Sequence, residues 1–155
     1  MKLELLFLGK TKAPYLQEGI DDFAGRLRHY CNLALTILKV KKKKGGSGEQ
    51  EKKEEGRLLL DNVDPGTVKV VLDAGGRSLS SEGLAEQISR WQNQGVKQVS
   101  FLIGGPLGLS DEVISRADLL LSLSRMTLTH DMARLILMEQ LYRAYTIKAG
   151  EKYHK

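Results

Sequence analysis

The chain predicts an α/β fold, a mainly parallel sheet with helices on both faces. Three observations carry that expectation. Short apolar, β-prone runs alternate with stretches of helical periodicity along all 155 residues. The joins between them are short and rich in Gly, Ser, Asp and Pro. Two of the apolar runs pass straight into glycine-rich or Ser/Thr-rich loops that lead on to helices.

The elements follow in order. Lys2 to Leu8 is a loosely alternating apolar strand. Pro14 suits the first turn of a helix, and Leu16, Ile20, Phe23 and Leu27 form a stripe that ends near His29. Asn32 to Val40, rich in Leu, Thr, Ile and Val, is the second strand. Lys41 to Gly48 reads as a flexible basic loop, and Glu49 to Leu60 as a short charged helix weakened by Gly56. Asn62 to Gly66 is turn chemistry. Thr67 to Asp73 is the third strand, with Ala74 to Ser78 as the loop beyond it. Ser80 or Ser81 caps a helix whose face is Leu84, Ile88 and Trp91, and Gly95 stands just past its end. Gln98 to Ile103 is the fourth strand. Ser110 then caps a short helix, with Asp111 and Glu112 in the first turn to match its dipole. Leu119 to Ser124 is the fifth strand. Asp131 is the expected cap of the last helix, which carries Leu135, Met138, Leu141, Tyr142 and Tyr145.

Length and composition set bounds. No internal repeat or linker divides residues 1–155, so one domain is expected. A domain of this size buries roughly 68–70% of its unfolded surface. No apolar run approaches the ~20 residues of a membrane span. The segment Met1 to Gly9 is too short, and at Glu4 too acidic, for a signal peptide, which points to the cytoplasm. Cys31 is the single cysteine, so it forms no internal disulfide and reads as a half-buried structural thiol. A formal charge of +5 favours an anionic partner, commonly nucleic acid. No His/Cys/Asp/Glu group has metal-ligand spacing and no Ser-His-Asp set assembles, so neither a metal site nor a serine triad is expected. His29 reads as surface, His130 as a helix start, and His154 as part of a tail.

Loops 73–78, 104–110 and 124–130 all follow strands and should share the carboxyl edge, where ligands of such sheets sit. Gly104-Gly105-Pro106-Leu107-Gly108 is neither a Walker loop, for no lysine follows, nor a Gly-x-Gly-x-x-Gly turn. Its glycines permit close backbone approach by a ligand; alone it also reads as a tight turn. Ser122 to Thr129 adds hydroxyls and free backbone groups, and Leu123, Met126 and Leu128 could sandwich an aromatic base. Two such loops on one edge suit a nucleoside-like ligand. Lys39 and Lys41–Lys44 could neutralise phosphates or simply be solvated, and Glu49, Glu51, Glu54 and Glu55 partly cancel them. Arg125, Arg134 and Arg143 fit an RNA-binding rim and ordinary salt bridges equally well.

Leu102-Ile-Gly-Gly-Pro-Leu-Gly-Leu-Ser110, Leu121-Ser-Leu-Ser-Arg-Met-Thr-Leu-Thr-His130, Glu139-Gln-Leu-Tyr-Arg-Ala-Tyr145 and the closing Tyr153-His-Lys155 resemble the ribosomal large-subunit methyltransferase H family. These are small SPOUT-class enzymes that methylate N3 of a pseudouridine in 23S ribosomal RNA. The resemblance runs over the whole chain. It implies an α/β knot with a C-terminal trefoil, a homodimer, and S-adenosylmethionine as cofactor. It further implies 23S rRNA as partner, in the large subunit or the 70S ribosome. By position, the implied cofactor contacts are Leu72, Gly104, Gly105, Leu123, Ser124, Arg125, Met126, Thr127 and Leu128. Family members often carry Pro before the histidine of the last loop, where this chain has Thr129. The N3 proton must leave during methyl transfer. His154 and Tyr153 are the candidates to take it, with Arg143 to favour the imidate anion; a tail that only binds RNA or orders the dimer is the equal alternative. The contrasting functions are a non-enzymatic RNA-binding or ribosome-associated α/β module and a flavodoxin-like nucleotide-binding protein.

Overall fold

The computed structural model describes residues 1–40 and 47–154. The expected basic loop falls at 41–46 outside them, apart from Ser47 and Gly48. The described elements are β1 (Lys2–Leu8), α1 (Pro14–Leu27), β2 (Asn32–Leu38), α2 (Gly48–Asp61), β3 (Val68–Ser78), α3 (Ser81–Asn93), β4 (Gln98–Ile103), α4 (Asp111–Ser115), β5 (Leu119–Ser122) and α5 (His130–Lys148), followed by a 3₁₀ turn at Lys152–His154. All five strands are parallel, in the order β2-β1-β4-β3-β5.

The alternation of side chains along each strand divides the core in two. Leu3, Leu5 and Phe7 of β1 join Val99, Phe101 and Ile103 of β4 on one face, under Ile20 and Leu27 of α1, Ile88 and Trp91 of α3, and Leu137, Met138 and Leu141 of α5. Leu6 and Leu8 join Leu102 and Val71 on the other, under Leu59 of α2 and Val113 of α4. Each such side chain, fully buried, is worth ~1.5–3 kcal/mol. Helices therefore cover both faces of the sheet, as expected.

Four details differ from the expectation, and each has a physical reason. Ala74 to Ser78 is not a loop beyond β3 but part of that strand. The Asp73 carboxylate accepts from the Gly75 amide (2.8 Å), and a Cβ on Gly76 would lie 2.7 Å from the Leu120 carbonyl carbon. The strand therefore bulges after Leu72 and resumes pairing with β5 at Arg77. The cap of α5 is Thr129, whose hydroxyl accepts from the Met132 amide (3.2 Å); Asp131 lies inside the helix. Ser110 precedes α4 but makes no side-chain cap bond there, because its hydroxyl is buried against α2. Gly56, which propensity alone marks as a weakness, is where α2 meets α4. A Cβ there would fall on Ser110 Oγ and within 3.1 Å of Val113.

Cys31 is partly buried, as expected, and burial pushes its thiol up to about 11.

Gly56→Ala should overpack the α2–α4 contact and cost about 1–3 kcal/mol. A urea titration checks this: the midpoint should fall with an unchanged slope, although Ala is the better helix former.

Candidate active site

The carboxyl ends of β3, β4 and β5 hold two contiguous hollows of about 150 and 180 Å³. They share Leu72, Asp73, Ala74, Leu128 and Ala133 as walls. Leu123, Ser124, Met126 and Thr127 close one end; Gly104, Gly105 and His130 close the other. Eight of the nine residues picked out by position thus line a single site, and Arg125 stands exposed beside it in the last loop.

Local chemistry shapes these walls. Ser122 Oγ donates to the Ser124 carbonyl (3.0 Å), and Ser124 Oγ accepts from the Met126 amide (2.9 Å). The loop is thereby curled by its own hydroxyls. Among the described residues, the amides of Thr127 and Leu128 donate to no protein group. On the opposite wall a Cβ on Gly104 would lie 2.9 Å from Leu109, and one on Gly105 2.9 Å from the Glu55 carboxylate. At Gly104 the absence of a side chain lets the loop close onto Leu109 and the Gly108 backbone, and what both glycines offer the pocket is backbone. A pocket with apolar leucine walls and unspent amides suits a planar, hydrogen-bonding ligand such as a nucleoside.

A larger cavity, about 470 Å³, opens behind the glycine loop between Leu58, Leu107 and the carboxylates of Glu51, Glu54 and Glu55. Its walls carry three glutamates and Lys39, a charged lining that suits a nucleoside less well than the smaller site does. Among the described residues no group of His, Cys, Asp and Glu is placed to hold a metal.

One buried ionic cluster fixes the rim. Arg134 of α5 is wholly buried. Its Nη2 donates to the Leu8 carbonyl (2.7 Å) and its Nη1 to Thr11 Oγ1 (3.1 Å). Its guanidinium lies 4.7 Å from the Phe7 ring centroid and 3.1 Å from Asp131 Oδ1. Asp131 Oδ2 accepts from the Lys12 amide (3.0 Å), and Oδ1 lies 3.3 Å from His130 Nε2. Arg134 is therefore a buried clasp, not part of an RNA-binding rim. Nothing short of the folded neighbourhood distinguishes it from an exposed arginine in a helical sequence.

The three candidates for proton transfer lie elsewhere in the same chain. Arg143 is thirteen residues beyond His130 along α5, a rise of about 20 Å at 1.5 Å per residue. It pairs with Glu139, which holds its guanidinium pKa above the ordinary value. The Tyr153 ring packs edge-on against Tyr142 (4.8 Å) and under the Arg143 guanidinium (4.8 Å), with its hydroxyl donating to Glu139 (3.3 Å). His154 closes the 3₁₀ turn beside it. The pocket and these residues occupy opposite ends of α5.

Fold and site together define an α/β protein with a pocket suited to a nucleoside-type ligand at the carboxyl edge of a parallel sheet. The comparisons with known proteins make that class specific. The family model described as "Predicted SPOUT methyltransferase" matches residues 1–154. A ribosomal RNA large subunit methyltransferase H from Desulfotalea psychrophila is 57% identical over 155 residues, covering 100% of both chains. Its counterpart from Syntrophotalea carbinolica is 46% identical over 99% of both. The chain belongs to the SPOUT methyltransferase family, in its ribosomal RNA large-subunit methyltransferase H branch.

Among solved structures, the fold is shared with a probable methylase family protein from Haemophilus influenzae (TM-score 0.52, 14% identity, 98% of this chain and 67% of that one). It is also shared with a putative methyltransferase from Legionella pneumophila solved with bound cofactor SAM (TM-score 0.50, 14% identity, 93% of this chain and 66% of that one). No described helix is long and apolar enough to cross a membrane.

Burial holds the His130 imidazole below its ordinary value; Asp131 opposes this and the Arg134 and Lys12 cations reinforce it. An unfolded His130 therefore takes its proton first as pH falls. The contribution to stability is full above the ordinary value of about 6.5 and is lost below it. In an NMR titration the His130 ring should protonate below the ordinary histidine value of about 6.5. The substitution His130→Gln should flatten the fall in stability over that window.

Proposed function

We propose that the chain transfers a methyl group from S-adenosylmethionine to N3 of a pseudouridine in large-subunit ribosomal RNA, as a cytoplasmic homodimer of single, knotted domains. The observation that carries this is the meeting of the bulged part of β3 with the loops after β4 and β5 around one pocket walled by leucines and free amides. A glycine loop that were merely a turn, as in a non-enzymatic RNA-binding module, would have no need to share a cavity with the other two. The curated relatives matched over the full chain are named for methylation of large-subunit RNA.

The residues fit the cofactor. Leu72, Leu123 and Leu128 bracket a slot for a flat base, while the Thr127 and Leu128 amides face polar edges. Gly104 and Gly105 let the remainder lie against backbone, and Arg125 is exposed in the adjoining loop. When bound, the cofactor supplies a sulfonium methyl group, an electrophile that needs alignment more than activation.

A trefoil is supported by the path from β5 to α5. It leaves the edge strand beside β3 and reaches Leu8 and Lys12 next to β1, so it passes the carboxyl ends of β3 and β4. The placement of Tyr153, His154 and Arg143 at the far end of α5 supports a site completed between two chains. In that arrangement the tail of one copy meets the pocket of the other: His154, with Tyr153 beside it, takes the N3 proton, and Arg143 stabilises the imidate anion.

Calorimetry should show micromolar binding of S-adenosylhomocysteine, and no heat under several conditions would reject the cofactor site. Mass spectrometry of ribosomal RNA from cells lacking the protein should show one pseudouridine short of a methyl group. Deleting residues 150–155 should abolish methylation while S-adenosylhomocysteine affinity stays within a few fold; full activity in the truncated protein would reject the role of the tail.

A further inference from the structure

We infer that the loop from Gly9 into the first turn of α1 is an RNA-docking platform beside the pocket, with Lys10 and Lys12 on phosphates and the Tyr15 ring stacked on a base. This rests on the RNA methyltransferase reading above and identifies the surface that holds the RNA.

Tyr15 is 73% exposed, although the other aromatic side chains of α1 and α5 pack inward or against one another. It follows Pro14 in the first turn of a helix, so its backbone is held while its ring lies open to solvent. Lys10 and Lys12 are both exposed. Among the described residues neither ammonium pairs with a carboxylate. Residues 9–15 include no acidic side chain; Glu18 and Asp21 lie further along α1. Two unpaired cations and an open aromatic ring on one short segment match a single strand of nucleic acid, whose phosphates and base faces alternate.

The loop is also pre-shaped. Arg134 grips the Leu8 carbonyl and Thr11, and Asp131 holds the Lys12 amide. Little conformational freedom remains to be lost when a ligand docks. The same clasp places the loop at the site: His130 and Ala133, neighbours of Asp131 and Arg134 on α5, line the pocket, and the Lys12 charge acts on the His130 ring. Across the mouth, Arg125 and Met126 of the last loop are exposed as well, Met126 at 78%. A nucleotide delivered to the pocket would pass between these two rims.

The test compares full-length variants with the unsubstituted protein, using purified 70S ribosomes and large subunits for methylation and a short ribosomal RNA hairpin for binding. Tyr15→Ala should weaken RNA binding and raise the KM for ribosomes by about tenfold, as loss of one stacked base does, and Tyr15→Trp should restore both. Lys10→Ala with Lys12→Ala should lower the slope of log affinity against log salt by about 1.5, two phosphate contacts' worth. All variants should bind S-adenosylhomocysteine within twofold of the parent, which also shows that they fold. Parental RNA affinity and salt slope in these variants would overturn the platform. So would a change in sedimentation of Tyr15→Ala with RNA affinity unchanged, which would give the ring to a contact between copies. If the unsubstituted protein itself methylates no ribosomal RNA, the functional reading fails first and the platform falls with it.

Discussion

The carboxyl edge of this sheet depends on one buried guanidinium. Arg134 has no exposed surface, yet it carries a charge that water would otherwise solvate. Burial lowers its pKa and Asp131 opposes that shift. The cation is kept by a carboxylate, a carbonyl, a hydroxyl and the face of Phe7. Removing one partner from such a buried pair costs about 3–5 kcal/mol, because the other charge is left uncompensated. What the cluster secures is geometry. It joins the end of β1 to the start of α5 across 126 residues of sequence. The first connection is tied to the start of α5 at that cluster, and the pocket wall at His130 and Ala133 adjoins it.

Glycine contributes the complementary constraint, the absence of side chains where backbones must touch. Gly76 lets the bulged end of β3 lie against Leu120, and Gly104 lets the loop after β4 fold onto Leu109. Both positions fall in segments that line or support the pocket. The site is thus made by what is missing as much as by what is present. Among the described residues, the ionisable side chains lining it are Asp73 and His130. That suits a reaction whose electrophile arrives already activated and needs chiefly to be aligned.

How much of this was legible in the sequence follows from the range of each interaction. The strands and most helices were readable because their signals are local. Leu16, Ile20 and Leu27 share a helix face whatever lies opposite, and Ser80 caps α3 through the amide of Gly83, three residues on. The edge on which the ligand loops gather was readable because parallel strands all point one way. The errors came where a distant segment decides. Gly56 is a poor helix residue until Ser110 lies against it, and Ala74 to Ser78 reads as a loop until Leu121 pairs with Arg77. Asp131 has the composition of a cap, but Lys12 and Arg134, far off or a turn away, claim both its oxygens. Thr129 shows the reverse. Its φ of −64° is one that proline also holds, and the threonine adds a side-chain cap that proline could not make.

The length of α5 sets the remaining logic. Its first turn belongs to the pocket, and its last turns carry Glu139, Arg143 and the aromatic seat of Tyr153. A rigid helix cannot bring its two ends together, so groups about 20 Å apart along it cannot act on one nucleotide within one chain. Either the tail has no part in the chemistry, or a second copy supplies it. On the proposed reading the second holds, and it has a physical consequence. A lone chain could hold the methyl donor yet lack the group that removes the N3 proton, so methyl transfer would be confined to the assembled form. On that reading the packing of Tyr153 on Tyr142 and Arg143 would serve the arrangement, because it holds the Tyr153 ring against α5. The ordering entropy is then met within each copy during folding, and association needs only to dock two preformed parts.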